Sequence, residues 1–172
     1  MSFSKNIFLV GMPGSGKSTV GRLLAEKLGL DFYDLDSEIE RAYGGTIAEI
    51  FAKGGEDLFR RTEAETLINT IANKGSIVIA AGGGTPCFYD GIKVMNESGV
   101  TVYLETPIEV LISRTKRKQH RPLLSENHAE KMRMLLSTRK NCYSQANYVL
   151  PTADLNRQEK VEKIIKLLGR LN

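Results

Sequence analysis

Gly11-Met12-Pro13-Gly14-Ser15-Gly16-Lys17-Ser18 satisfies the pattern G-x-x-x-x-G-K-[ST] at every required position. Glycines at this spacing let successive backbone N–H groups turn inward around phosphate oxygens, and a helix starting behind them adds its favourable dipole. Lys17 can reach the β- and γ-phosphates of a nucleoside triphosphate, and the Ser18 hydroxyl can ligate Mg²⁺. The competing reading is a chance glycine-rich turn. With glycine near 7% of residues on average, the full pattern arises by accident in fewer than about one chain in a hundred of this length.

Phosphoryl transfer also needs groups for the metal and the acceptor. Asp31-Phe32-Tyr33-Asp34-Leu35-Asp36 offers three carboxylates, and Asp34 and Asp36 project to one side if the segment is extended. One could hold a metal-bound water while the other orients a substrate hydroxyl. Alternatively, these aspartates only cap a helix starting near Ser37. A third feature is Lys116-Arg117-Lys118-Gln119-His120-Arg121-Pro122-Leu123-Leu124, a basic cluster that could serve nucleic acid, a membrane surface or a small anion. Nucleic-acid recognition wants a wider basic surface with interleaved aromatics. Residues 113–127 contain no aromatic, which favours a small, strongly negative ligand.

The elements that must position these groups alternate. Ile7-Phe8-Leu9-Val10 and Ile77-Val78-Ile79-Ala80 are short continuous apolar runs, as expected of strands buried on both faces. Phe32-Tyr33-Asp34, Val100 to Leu104 and Tyr148-Val149-Leu150 complete five strand candidates. Val20, Leu23, Leu24 and Leu28 recur at helical spacing and stop at Gly29. Residues 37–72 read as mostly helical, with breaks at Gly44-Gly45 and Gly54-Gly55, and a last helix from about Asn156 carries Val161, Ile164, Ile165 and Leu168 on one stripe. Strands separated by helices imply βαβ units and hence an α/β fold with a five-stranded parallel sheet covered on both faces. Ligands in such folds gather at the carboxyl ends of the strands, where these motifs fall.

Composition agrees. The 172 residues, 41% hydrophobic and 26% charged, suffice for one domain with a real core, and a net charge of +4 with pI near 9.1 is compatible with nucleic-acid binding and equally with a basic pocket for an anionic metabolite. Cys87 and Cys142 form no CxxC pair and, with two histidines, no zinc constellation, so they read as buried or idle thiols. The N-terminal apolar run is too short for a signal core or a membrane span, so the expectation is a cytoplasmic protein.

Taken in order and spacing, several stretches point to one family. The phosphate loop continues as Thr19-Val20-Gly21-Arg22; then come Asp34-Leu35-Asp36, Ile50-Phe51, Gly55-Glu56, Phe59-Arg60-Arg61, Gly82-Gly83-Gly84 and Arg121-Pro122-Leu123-Leu124. In these residues, over almost its full length, the chain resembles shikimate kinases. The resemblance implies a single P-loop kinase domain over residues 1–172 with an acceptor-binding helical region at about 33–61 and a mobile lid at about 113–127. It implies transfer of the ATP γ-phosphoryl to the 3-hydroxyl of shikimate, a step toward chorismate and the aromatic amino acids. ATP would lie on Gly14, Ser15, Gly16, Lys17, Ser18 and Thr19, with Arg114 packed on adenine and Arg121 at the transferring phosphate. Mg²⁺ would rest on Ser18 and, through water, on Asp34. Shikimate would meet Asp36, Arg60, Arg139 and the backbone of Gly82, Gly83 and Gly84, so Lys17, Asp36 and Arg121 become the expected catalytic residues.

These residue types suit such chemistry on their own account. A guanidinium makes two parallel charge-assisted bonds to a carboxylate, which lysine cannot. Glu63, three residues after Arg60, could hold that guanidinium in place on a helix. Without the surrounding motifs, Arg60 and Arg61 would read as a solvated helix face, and the triple glycine as an ordinary turn. There is one departure: the family often carries a serine or threonine before the triple glycine, whereas here stand Ala80 and Ala81. The expected partners are ATP and shikimate, with no nucleic acid or membrane, for a monomer. The rivals are a gluconate or nucleoside monophosphate kinase and a non-catalytic nucleotide-binding regulator.

Overall fold

The computed structural model describes residues 5–116 and 125–170. In chain order the elements are β1 (Asn6–Val10), α1 (Lys17–Leu28), β2 (Asp31–Asp34), α2 (Leu35–Tyr43), α3 (Ile47–Ala72), β3 (Ile77–Ala80), a 3₁₀ turn (Thr85–Cys87), α4 (Gly91–Ser98), β4 (Gly99–Glu105), α5 (Ile108–Lys116), α6 (Ser125–Tyr143), β5 (Tyr148–Pro151) and α7 (Arg157–Leu168). Five strands form one parallel sheet in the order β2-β3-β1-β4-β5, as the alternating pattern predicts. Of the lid expected over residues 113–127, residues 117–124 lie outside the described residues, and Arg121 with them.

β1 shows why its apolar run is continuous. Phe8 and Val10 join a core with Leu35, Ile39, Ile79 and Met95, while Ile7 and Leu9 join the opposite core with Leu24, Val78, Val161 and Ile164. Side chains alternate across a strand, so a strand covered by helices on both faces needs apolar residues at every position. β1 lies at the centre, between β3 and β4, and its carboxyl end delivers the phosphate loop into the crevice where the strand order reverses.

Local signals set the helix ends. Gly29 closes α1 in the left-handed conformation at φ 66°. α3 opens on a capping box in which Thr46 and Glu49 satisfy each other's backbone N–H groups. The break expected at Gly54-Gly55 is present as a kink: Gly55 adopts φ 66°, ψ −161°, a region open essentially to glycine alone. α2 begins at Leu35 rather than near Ser37, because Asp34 already caps it.

Candidate active site

The phosphate loop joins the end of β1 to the start of α1, with Lys17 as the first helical residue. Gly14 and Gly16 take φ of 84° and 92°, which L side chains rarely adopt. Lys17 Nζ donates to the carbonyl oxygens of Gly11 at 2.8 Å and Met12 at 3.0 Å. Desolvation pulls its pKa down to about 8, against the opposing pull of Asp36 and Asp34. Gly14, Gly16, Lys17, Ser18 and Thr19 line a cleft of about 810 Å³. Ser15 does not: its side chain is buried, its hydroxyl has no partner among the described residues, and its N–H donates to Met12 O at 3.2 Å.

Asp34 and Asp36 reach the same cleft by a different route from the extended segment expected of them. Asp34 ends β2 and caps α2, and Asp36 sits in the first helical turn. Ser18 Oγ donates to Asp34 Oδ2 at 2.5 Å, while Asp34 Oδ1 accepts from the Asp36 N–H at 3.2 Å. Asp34 therefore caps α2 with one carboxylate oxygen while the other meets Ser18 at the cleft. Asp36 is solvent-exposed at the cleft; partial desolvation raises its pKa, with Asp34 and Glu63 adding to the rise and Lys17 opposing it.

Ser18 and Asp34 present two adjacent hard oxygen ligands beside the phosphate loop. Among the described residues no group of three His, Cys, Asp or Glu could hold a metal alone. That donor set suits Mg²⁺, which takes one or two protein oxygens and completes its shell with phosphates and water. Ala81, buried on the cleft wall, supplies no hydroxyl to it.

The other end of the cleft is organised around Gly82-Gly83-Gly84. Arg60 is 8% exposed and donates from Nη1 to Glu63 Oε2 at 2.8 Å and from Nε to Glu56 Oε1 at 3.2 Å. Glu63, 2% exposed, also accepts from Thr85 Oγ1 at 2.6 Å, so the arginine's carboxylate partner is itself fixed. A Cβ on Gly84 would stand 2.7 Å from Arg60 Cζ, and one on Gly83 would stand 3.1 Å from Arg139 Nη1. Gly82 and Gly83 line the cleft; Gly84, Arg60 and Arg139 do not, and join it through those glycines. Tyr143, one helical turn beyond Arg139, donates to Gly83 O at 2.5 Å and ties α6 to the turn.

Arg114 lines the opposite end and donates to Gly14 O at 3.2 Å. Beside it stand residues not anticipated from sequence: Thr115, Leu155, Asn156, Arg157 and Lys160. Lys160 is 3% exposed, and burial with the nearby Arg114 lowers its pKa. A lysine beside the apolar stripe of the last helix was the one available signal. Cys87 and Cys142, read as buried or idle thiols, are free and only half-buried, and burial with the neighbouring Cys142 thiol pushes Cys87 up to about 12.

Comparison with known proteins agrees with this geometry. The shikimate kinase family model matches residues 13–169. The shikimate kinase of Thermodesulfovibrio yellowstonii is 43% identical over 169 residues, 98% of this chain and 97% of its own. The shikimate kinase of Acinetobacter baumannii, solved in complex with shikimate, superposes with a TM-score of 0.89 at 40% identity, covering 99% of this chain and 96% of that one. A gluconokinase from Sinorhizobium meliloti, at 20% identity and TM-score 0.70 over 99% of this chain and 95% of its own, shares the fold alone. Since the family match runs from the phosphate loop to the end of α7, the chain belongs to the shikimate kinase family.

Proposed function

We propose that this protein transfers the γ-phosphoryl group of ATP to the 3-hydroxyl of shikimate, giving shikimate 3-phosphate and ADP. One observation carries the reading: a single cleft has the Lys17 phosphate loop and Asp36 in its wall, and its Gly82-Gly83 edge abuts the Arg60–Glu63 pair and Arg139. An acceptor with hydroxyls and a carboxylate matches that set. A nucleoside monophosphate would call for further base-reading groups, whereas Asp36 with Arg60 and Arg139 suits a hydroxylated carboxylic acid better.

Roles follow from the chemistry. Lys17 holds the β- and γ-phosphates as charge builds on the transferring oxygens. Ser18, and Asp34 through water, would hold Mg²⁺, which when bound would neutralise phosphate charge. Asp36 orients the acceptor hydroxyl, and its raised pKa makes it a better proton acceptor than an ordinary carboxylate. Arg60 and Arg139 grip the acceptor carboxylate, and Gly82 and Gly83 allow close backbone approach. Arg114 packs on the base; the role at the transferring phosphate expected of Arg121 falls outside the described residues. One domain carries all of these groups, so a monomer near 19.1 kDa suffices. No helix among the described residues is long and apolar enough to cross a membrane, and we place the protein in the cytoplasm.

The test is coupled detection of ADP from ATP and Mg²⁺ with shikimate, gluconate or a nucleoside monophosphate as acceptor. Strong turnover with shikimate alone is expected. Preference for gluconate or a nucleotide overturns the acceptor, and ATP binding without turnover on any of them makes the chain a regulator.

A further inference from the structure

We propose that Phe88 is a positioning residue for Arg60, holding the guanidinium where it meets the acceptor's carboxylate; the inference rests on the shikimate reading above. The Arg60 carbon Cζ lies 4.2 Å from the centroid of the Phe88 ring and 4.9 Å from that of Phe59. Glu63 and Glu56 hold the N–H groups of Arg60. Hydrogen bonds to carboxylates direct those N–H groups but leave the face of a planar cation uncovered. An aromatic ring supplies that missing restraint, since its electron-rich face attracts the cation.

The chain brings Phe88 there by an unusual path. After the triple glycine, Thr85 N donates to Gly82 O at 3.2 Å and Cys87 N to Gly84 O at 2.9 Å, which winds the 3₁₀ turn directly onto the acceptor glycines. Phe88 follows, and the next two residues, Tyr89 at φ 48° and Asp90 at φ 55°, are both left-handed without being glycine. They are the only such residues among those described. L-residues take that conformation at a cost in free energy, so two in succession must be held by their surroundings. Gly91 does so: it donates to Phe88 O at 2.9 Å and packs so tightly that a Cβ would stand 2.9 Å from the Thr85 carbonyl carbon. The same Thr85 donates to Glu63, the buried partner of Arg60. One strained turn thus delivers both the hydroxyl that fixes Glu63 and the ring that covers Arg60.

Core packing does not account for the ring, because Phe88 is 37% exposed. Nothing in the chemistry of transfer itself needs an aromatic at this point. What the ring touches is the cation assigned to the acceptor carboxylate, and that carboxylate is bound alike before and during the reaction. Loss of the ring should therefore weaken acceptor binding without slowing the chemical step.

The experiment is steady-state kinetics on the parent chain and on Phe88→Ala, Phe88→Leu and Phe88→Tyr. Phe88→Ala and Phe88→Leu are expected to raise KM for shikimate by about 3- to 10-fold, the scale of a partly exposed cation–π contact. KM for ATP should not move, and kcat should stay within about twofold. Phe88→Tyr, which keeps the ring face, should retain the parental KM. If Phe88→Ala fails to fold, the leucine and tyrosine variants decide between them, since leucine fills the space without a ring. A parental shikimate KM in Phe88→Leu, or a parallel rise in both KM values, overturns the proposal while leaving the function intact. A parent chain with no shikimate-dependent ADP release overturns both together.

Discussion

Lys17 commits two of its three N–H donors to the Gly11 and Met12 carbonyls, and it does so in a setting that lowers its pKa to about 8. Its assigned task requires the charged form, so the proton present below about 8 is lost as pH rises through that value. We expect kcat/KM for ATP to fall across this alkaline region. A bound triphosphate favours the ammonium, so the alkaline limb of kcat should lie at higher pH. Coincident limbs in the two profiles would remove Lys17 from the phosphates. Asp36 titrates on the acid side, and because its pKa is raised, the acid limb for shikimate should lie above the ordinary carboxylate range. Asp36→Asn should lose about 100-fold or more in kcat and abolish that limb; a pH–rate profile of the variant that kept it would assign the limb to another group. Asp34 shows why residue-level reading was only half sufficient. Two aspartates two residues apart suggested one extended face, whereas a helix begins at Leu35 and turns Asp36 into its first turn.

Elements place what residues cannot place alone. The triple glycine belongs where β3 gives way to the 3₁₀ turn, and a Cβ at Gly84 would crowd the Arg60 guanidinium that sits against it. α3 supplies that arginine only after its kink, which redirects the helix between Ile50 and Phe59-Arg60. Gly55→Ala forces a side chain into φ 66°, ψ −161°, at a cost of about 1–3 kcal/mol. Thermal unfolding should then show a melting temperature lower by roughly 3–10 °C for a chain of this size. An unchanged midpoint would mean that the helix straightens without loss. The kink itself was legible, because two adjacent glycines in a helical pattern have few other uses. Its conformation was not, since either glycine could have absorbed the change of direction.

At the scale of the whole molecule, the two ends of the cleft belong to different groups of elements. The proposed nucleotide end is lined from the β1–α1 loop, α5 and the start of α7; the proposed acceptor end is lined by Asp36 of α2 and by Gly82 and Gly83, which stand against Glu63 of α3 and Arg139 of α6. Removing Arg60 should therefore act on one substrate. We expect Arg60→Ala to raise KM for shikimate by about 10- to 100-fold, the range for a lost charge-assisted hydrogen bond. ATP affinity, read by calorimetric titration, should stay near parental, and an equal loss for both ligands would mean that the ends are not separate. The sequence by itself determined the phosphate loop and the five-stranded parallel sheet. A phosphate cradle needs only consecutive residues with the right backbone freedom, and a doubly covered strand declares itself by its unbroken apolar run. It also indicated Glu63 as the partner of Arg60, because a helix fixes neighbours three residues apart. Only the tertiary structure decided which side chains complete the site from a distance. Thr85 on Glu63, Phe88 on Arg60, Tyr143 on Gly83 and Lys160 beside Arg114 meet across segments far apart in the chain. No local spacing encodes such contacts; they exist because the packing of helices onto the sheet brings those segments together.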